Sequence, residues 1–252
     1  MCLHPLLIPN PNRGKTYPKG DPRNLYDCTS QYIYVPCGYC PQCIAVKQMY
    51  IVQRVQMESL ENHLFFATLT YNQESLPRIT TSTGYSIPYA DISDIQNCFK
   101  RLRKSGAFSR PFRYFAVTER GSTYGRPHAH CLFFLPKYEG DSFLDCLNLE
   151  SILFDALLAE WRRNYGSTRV PAYRPLCTYY RKFIGGKLSA TYDLHYAVPS
   201  ASDAGLASVA FYVCKYMLKP STKEVRLQQA LHLNLPDDEY ETVWKTVRNR
   251  DL

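Results

Sequence analysis

Phe112-Arg-Tyr-Phe-Ala-Val-Thr-Glu119 and His128-Ala-His-Cys-Leu-Phe-Phe-Leu135 decide how this chain folds. Both stretches are dense in aromatic and apolar residues, and a glycine-containing connection separates them. They therefore read as two antiparallel strands joined by a turn. Alternate residues of a strand point to one face, so His128 and His130 stand side by side with Leu132 and Phe134 beyond them. Two neighbouring imidazoles on a sheet are a sensible pair of ligands for a divalent metal. Taken alone, His-x-His fits equally well with two partly exposed histidines at the start of a strand. Glu119 changes the balance. It ends the first strand just before Gly121, where pairing of the two strands can set its carboxylate opposite the histidines. Two imidazoles and one carboxylate leave positions open for water and a phosphate oxygen on Mg2+ or Mn2+. The alternative is a surface carboxylate paired with Arg120 or Arg126.

Working outward, Leu64-Phe-Phe-Ala-Thr-Leu-Thr-Tyr71 reads as a central strand. Helices are expected from about Ile44 to Leu60, from Asp91 to the Ser105-Gly106 stop, and from Leu149 to Tyr165. Two more are expected from Gly205 to Lys219, ended by Pro220, and from about Pro236 to Asn249. Residues 1–36 read as an irregular, extended arm, 72–90 as a loop, and the Tyr-rich stretch 172–198 as one or two further strands. This order gives an α+β fold rather than a doubly wound parallel one. The expected divisions are a cysteine-rich arm over 1–45, a catalytic domain over 46–222 and a helical extension over 223–252.

On the 205–219 helix, Tyr212, Lys215 and Tyr216 fall at i, i+3 and i+4 and so share a face. The two tyrosine Cα atoms lie roughly 6 Å apart along the axis, at about 1.5 Å per residue. Two phenols and an ammonium offer alternating nucleophiles and a cation for developing phosphate charge. An aromatic core stripe with Phe211, Val213 and Met217 is the competing reading in a chain with 21 tyrosines. In the arm, Cys37-Gly-Tyr-Cys40-Pro-Gln-Cys43 supplies three thiolates, and a tetrahedral Zn2+ needs one more ligand. Cys28 and Cys2 are the candidates, preferred over His4.

Thirty Lys and Arg against 22 Asp and Glu give a formal charge of +8, and 14% of the residues are aromatic. Cations interleaved with rings suit a nucleic-acid surface, although a merely soluble basic protein has the same balance. A hydrophobic fraction of 45% excludes a wholly disordered, collagenous or coiled-coil chain. No apolar run reaches the length of a membrane span. The start, Met1-Cys-Leu-His-Pro, lacks the order of regions of a signal peptide, so a soluble protein with reduced cysteines is expected.

Five segments together resemble the HUH endonucleases that start rolling-circle replication, especially the initiators of the microvirus group of single-stranded DNA phages, gokushoviruses above all. They are Met1-Cys-Leu-His-Pro, Val35-Pro-Cys-Gly-Tyr-Cys-Pro-Gln-Cys43, Phe66-Ala-Thr-Leu-Thr-Tyr71, Gly125-Arg-Pro-His-Ala-His130 and Tyr212-Val-Cys-Lys-Tyr216. Each is short; their order along the chain is what is specific. Thr118-Glu119-Arg120-Gly121 departs from the Gly-Glu-Tyr-Gly common in those proteins but keeps the carboxylate. The resemblance implies an HUH fold with a central five-stranded antiparallel sheet and flanking helices, with His128 and His130 on a central strand facing the tyrosine helix. It implies Mg2+ or Mn2+ on Glu119, His128 and His130, and a 5′-phosphotyrosine formed by Tyr212 or Tyr216 with help from Lys215. The implied partners are single-stranded and supercoiled phage origin DNA and the host's replication helicase and polymerase, in the cytoplasm of the infected bacterium, with no membrane. Lys100, Arg101, Arg103, Lys104 and Arg126 are the expected DNA contacts. Two rival readings are a metal-dependent nuclease that uses water and a non-catalytic zinc-bearing DNA-binding protein.

Overall fold

The computed structural model describes residues 2–38, 40–107, 110–121, 125–177, 179–184, 187–190, 193–196 and 222–247. Two compact units divide the chain at Ile51 and Val52, a few residues beyond the expected break at 45.

In the first unit, strands β1 (Leu6–Pro9) and β2 (Tyr32–Val35) pair antiparallel, Leu6 opposite Val35. The arm expected to be irregular thus contains a ribbon. The loop it closes is organised by Asn10, a buried side chain whose amide donates to the carbonyls of Asp27 and Ser30 and whose oxygen accepts from the Asn12 N–H. Such local side-chain bonds replace a core that the arm's composition cannot supply. Helix α1 (Pro41–Glu61) starts in this unit and ends in the second.

The second unit is built on a sheet. Directly after α1 comes β3 (Asn62–Thr70), followed by the short hairpin β4 (Arg78–Thr80) and β5 (Ser86–Pro88). Helix α2 (Ile92–Lys104) opens at Asp91, whose carboxylate accepts from the Ser93 N–H, and its end is followed by Gly106 in the left-handed region. Strands β6 (Arg113–Arg120) and β7 (Pro127–Pro136) follow, then α3 (Phe143–Glu160), β8 (Arg162–Asn164) and β9 (Tyr173–Pro175). The remaining strands are β10 (Tyr179–Ile184), β11 (Lys187–Ala190) and β12 (Asp193–Tyr196). Helices Thr222–Asn234 and Asp237–Val247 complete the described chain.

The central sheet has the order β12-β3-β7-β6. Every neighbouring pair is antiparallel. It has four strands among the described residues, where the resemblance implies five. Alternation along β3 is visible in burial: Phe65, Ala67 and Leu69 are buried, while Phe66, Thr68 and Thr70 are half-buried. The first set packs with Ala129, Cys131 and Phe133 of β7 against Ile95, Cys98, Phe99 and Leu102 of α2 and Leu149, Leu153 and Leu157 of α3. One face of the sheet is therefore core, and the other carries the alternate residues.

Several expectations are corrected. The third helix starts at Phe143 rather than Leu149, because Ser142 and Asp145 form a reciprocal capping box there, and it stops at Trp161 rather than Tyr165. Trp161 leaves the helix because its indole is fully buried and donates to the Thr70 carbonyl. Residues 72–90 contain the β4–β5 hairpin instead of an unstructured loop. Residues 172–198 hold four strands rather than one or two. The C-terminal extension forms part of the second unit: Leu231, Leu235 and Val243 bury against Ile87, and Glu239 accepts from the N–H and hydroxyl of Ser82. The helix expected over 205–219, with Tyr212, Lys215 and Tyr216, lies outside the described residues.

Candidate metal centre

Register builds the site. β6 pairs with β7 so that Glu119 is directly opposite His128 and Val117 opposite His130. β3 pairs with the other edge of β7, setting Thr70 opposite His128 and Thr68 opposite His130. Partners across an antiparallel pair share a face, so Glu119, His128, His130, Thr68 and Phe66 all project from the side of the sheet away from α2 and α3. The turn between β6 and β7 is closed by Gly121 N–H donation to the Arg126 carbonyl, with Gly125 at φ 63°, a conformation suited to glycine.

The three ligand atoms meet. Glu119 Oε1 lies 2.6 Å from His128 Nε2 and 3.0 Å from His130 Nε2, and the two Nε2 atoms are 3.2 Å apart. The other ring nitrogens are engaged behind them: His128 Nδ1 is 3.1 Å from the Arg126 carbonyl oxygen, and His130 Nδ1 is 3.0 Å from Thr68 Oγ1. The Phe66 ring stacks on His130 at 5.3 Å. A carbonyl only accepts, so His128 must carry a proton on Nδ1. That leaves its Nε2 lone pair aimed at a carboxylate, an arrangement that is favourable only with a cation between them, either a proton or a metal ion. Glu119 Oε2 is buried and lacks a hydrogen-bond partner among the described residues. Burial pushes the Glu119 carboxyl up, but the hydrogen bonds and charge of His128 and His130 outweigh it and hold the group below its ordinary value. Converging nitrogens, an ionised carboxylate and an orphaned oxygen fit a hard divalent cation. The same residues also fit the pairing expected from sequence, with His128 and Glu119 as the cross-strand partners.

The N-terminal unit holds a second cluster. Cys2, Cys37, Cys40 and Cys43 have their sulfurs within 4.8 Å of one another. Separations of 3.5 Å (Cys2–Cys37), 3.9 Å (Cys2–Cys40) and 3.9 Å (Cys37–Cys43) bracket the edge of about 3.8 Å that a tetrahedron with Zn–S near 2.3 Å requires. The Cys37 N–H donates to Cys2 Sγ and the Cys40 N–H to Cys37 Sγ. Backbone N–H groups of Leu3 and Cys43 draw the Cys40 thiol down to about 6. The Gly38 N–H draws Cys43 down too, yet burial and the neighbouring thiols push it up to about 12. One thiolate thus forms readily while the next is resisted, and a divalent cation removes that conflict. Cys2 is the fourth member. Cys28 is not: its thiol lies apart and donates to the Tyr26 carbonyl. His4 does not join either.

The expected DNA contacts separate. Arg101 is held by Glu160 and by the carbonyls of Glu160 and Arg162, and Arg103 lies over Phe112 and Tyr114. Arg126 donates to the Tyr71 carbonyl and Gln73. Lys100 and Lys104 are exposed, on a helix packed against the face opposite the Glu–His–His cluster. Sequence reasoning left Thr68 without a role; only the β3–β7 register brings it to His130.

An antiparallel sheet carrying a two-histidine, one-carboxylate centre on the strands beside a covered face defines a candidate metal-dependent phosphoryl-transfer protein. Residues 64–188, just under half of the chain, match a family model of the replication-associated protein ORF2 type. That span contains β3, β6 and β7 and therefore the whole cluster. No curated protein and no solved structure matches the chain. No helix among the described residues is long and apolar enough to cross a membrane.

Proposed function

We propose that this protein is a rolling-circle replication initiator that nicks one strand of a phage origin and later rejoins the displaced strand into a circle. The observation that carries the reading is the convergence of Glu119, His128 and His130 on one sheet face, within a segment that matches a replication-associated family.

Glu119, His128 and His130 would hold Mg2+ or Mn2+. When bound, such an ion polarises a phosphate oxygen and offsets charge in the transition state. The histidines stay fixed because Arg126 and Thr68 hold their outer nitrogens. Tyr212 or Tyr216 supplies the nucleophile: its phenol oxygen forms a bond to phosphorus as the bond to O3′ breaks. The phenol gives up its proton and O3′ leaves as a hydroxyl that primes synthesis. Lys215 offsets negative charge beside the phosphate. After one round the second tyrosine cuts the regenerated origin, and the released 3′-OH attacks the first phosphotyrosine. The ester conserves the bond energy, so closure needs no ATP. Zn2+ on Cys2, Cys37, Cys40 and Cys43 would be structural. The resemblance to microvirus initiators supports a phage origin as substrate, single-stranded or supercoiled, with the host helicase and polymerase as partners in the bacterial cytoplasm.

Nicking of labelled origin DNA with Mg2+ or Mn2+ tests the reading. His128→Ala and His130→Ala should each lower the rate by at least about 100-fold, since a ligand lost from the centre removes charge stabilisation of about that worth. Binding that depends on salt should persist, because it comes from Lys and Arg meeting phosphates. Full metal-dependent cleavage by the double variant would remove this centre from the reaction.

A further inference from the structure

We infer that Thr68 is a positioning residue for the metal centre, and that its hydroxyl is what lets His130 change partners when a cation arrives. The inference rests on the proposed metal site and names a residue that the site needs beyond its three ligands.

The two histidines are supported differently. Behind His128 stands a carbonyl, that of Arg126, which can only accept. Its ring is therefore fixed with the proton on Nδ1 whatever lies in front. Behind His130 stands Thr68 Oγ1 at 3.0 Å, and a hydroxyl both donates and accepts. Without metal, His130 Nε2 can donate to Glu119 Oε1 at 3.0 Å while the hydroxyl donates to the bare Nδ1. With a cation on Nε2, the ring proton must sit on Nδ1, and the same hydroxyl turns to accept it. No heavy atom has to move, because only the hydroxyl hydrogen rotates.

Position makes the switch matter. The His130 side chain is only 4% exposed, so water is poorly placed to substitute for a lost partner. The residues come together by register, Thr68 opposite His130 on adjacent strands, and Phe66 two residues earlier stacks on the same ring. Thr68 faces the site rather than the core, being half-buried between buried Ala67 and Leu69. Replacement of the hydroxyl by a methyl keeps shape and strand preference but leaves Nδ1–H without an acceptor in the metal-bound state.

The experiment is a titration of the purified full chain with Mn2+, read by calorimetry or by water proton relaxation, for the natural protein, Thr68→Val and Thr68→Ser. Circular dichroism of each confirms the fold. Thr68→Val should bind Mn2+ about 10- to 100-fold more weakly, the range expected when a metal-bound histidine loses its outer hydrogen bond. Thr68→Ser, which keeps the hydroxyl, should bind within about threefold of the natural protein. Equal binding by Thr68→Val overturns the inference and leaves the metal site standing. Equal loss in Thr68→Ser and Thr68→Val overturns it as well, since the methyl and not the hydroxyl would then matter. Absence of Mn2+ binding by the natural protein overturns the metal site and the inference together.

Discussion

Glu119 is the residue on which the metal centre turns, because it alone brings negative charge to two imidazole nitrogens. Its Oε1 serves both histidines, while the buried Oε2 has no partner among the described residues. Glu119→Gln keeps the volume and the strand but removes the charge. We expect it to weaken Mn2+ binding beyond the roughly 100-fold upper range of outer-sphere changes while leaving the circular dichroism spectrum intact. Calorimetric titration checks this. Much of this residue-scale picture was legible from sequence. Period-two alternation put His128 and His130 on one face, and the Gly-containing turn put Glu119 across from them. Thr68 was not legible in that way, since its meeting with His130 depends on the register between strands 62 residues apart. Cys2 was not distinguishable from Cys28 by spacing either; what separates them is the path of the loop that Asn10 holds together.

Among the elements, β6 and β7 follow the sequence closely, whereas α3 starts six residues before its apolar pattern suggested. The start is set by polar residues. Ser142 and Asp145 cap the helix, and just before them Asp141 accepts from Arg110 at 2.5 and 2.7 Å, from the Tyr138 N–H at 2.8 Å and pairs with His63 at 2.8 Å. Arg110 is the main cause that holds the Asp141 carboxyl well below the usual range; the Tyr138 N–H and His63 add to it against burial. A carboxyl depressed in the folded state stabilises the fold above its unfolded value, and that contribution is lost as pH falls through the folded value. Asp141→Asn should therefore cost about 3 kcal/mol near pH 7, because it leaves Arg110 and His63 without their carboxylate. The difference from the natural protein should narrow as pH falls below about 4, where unfolded aspartates take up protons. Urea unfolding at pH 7 and pH 3 measures both values; a difference independent of pH would contradict the account. The β4–β5 hairpin was the element least legible in sequence. Three-residue strands carry almost no periodic signal, and Ile87 finds its apolar partners only about 150 residues later, at Leu231, Leu235 and Val243.

For the molecule as a whole, two clusters of ligand atoms in separate units suggest two metals with different duties. A small N-terminal unit with one two-stranded ribbon has little core of its own, which is the situation in which metal binding contributes folding energy. Purified protein should carry one Zn2+ per chain. Cys2→Ser should lose it and Cys28→Ser should retain it, as read by elemental analysis. Zinc retained by Cys2→Ser and lost by Cys28→Ser would reverse the assignment of the fourth ligand. The excess of positive charge, by contrast, did not mark a surface by itself: Arg101 and Arg126 are tied to the protein's own carbonyls and side chains, and α2 lies across the sheet from the cluster.

Covalent capture of the cut strand tests the central claim most directly. Single-stranded origin DNA labelled at its 5′ end in one sample and its 3′ end in another is incubated with the protein and Mg2+ or Mn2+, then run on a denaturing gel. A 5′-phosphotyrosine retains the downstream fragment, so only the 3′-labelled sample should give a labelled, protease-sensitive protein band, and peptide mapping should place the link at Tyr212 or Tyr216. Cleavage that leaves both labels on free fragments, with no protein band in either sample, would contradict the account and identify water as the nucleophile.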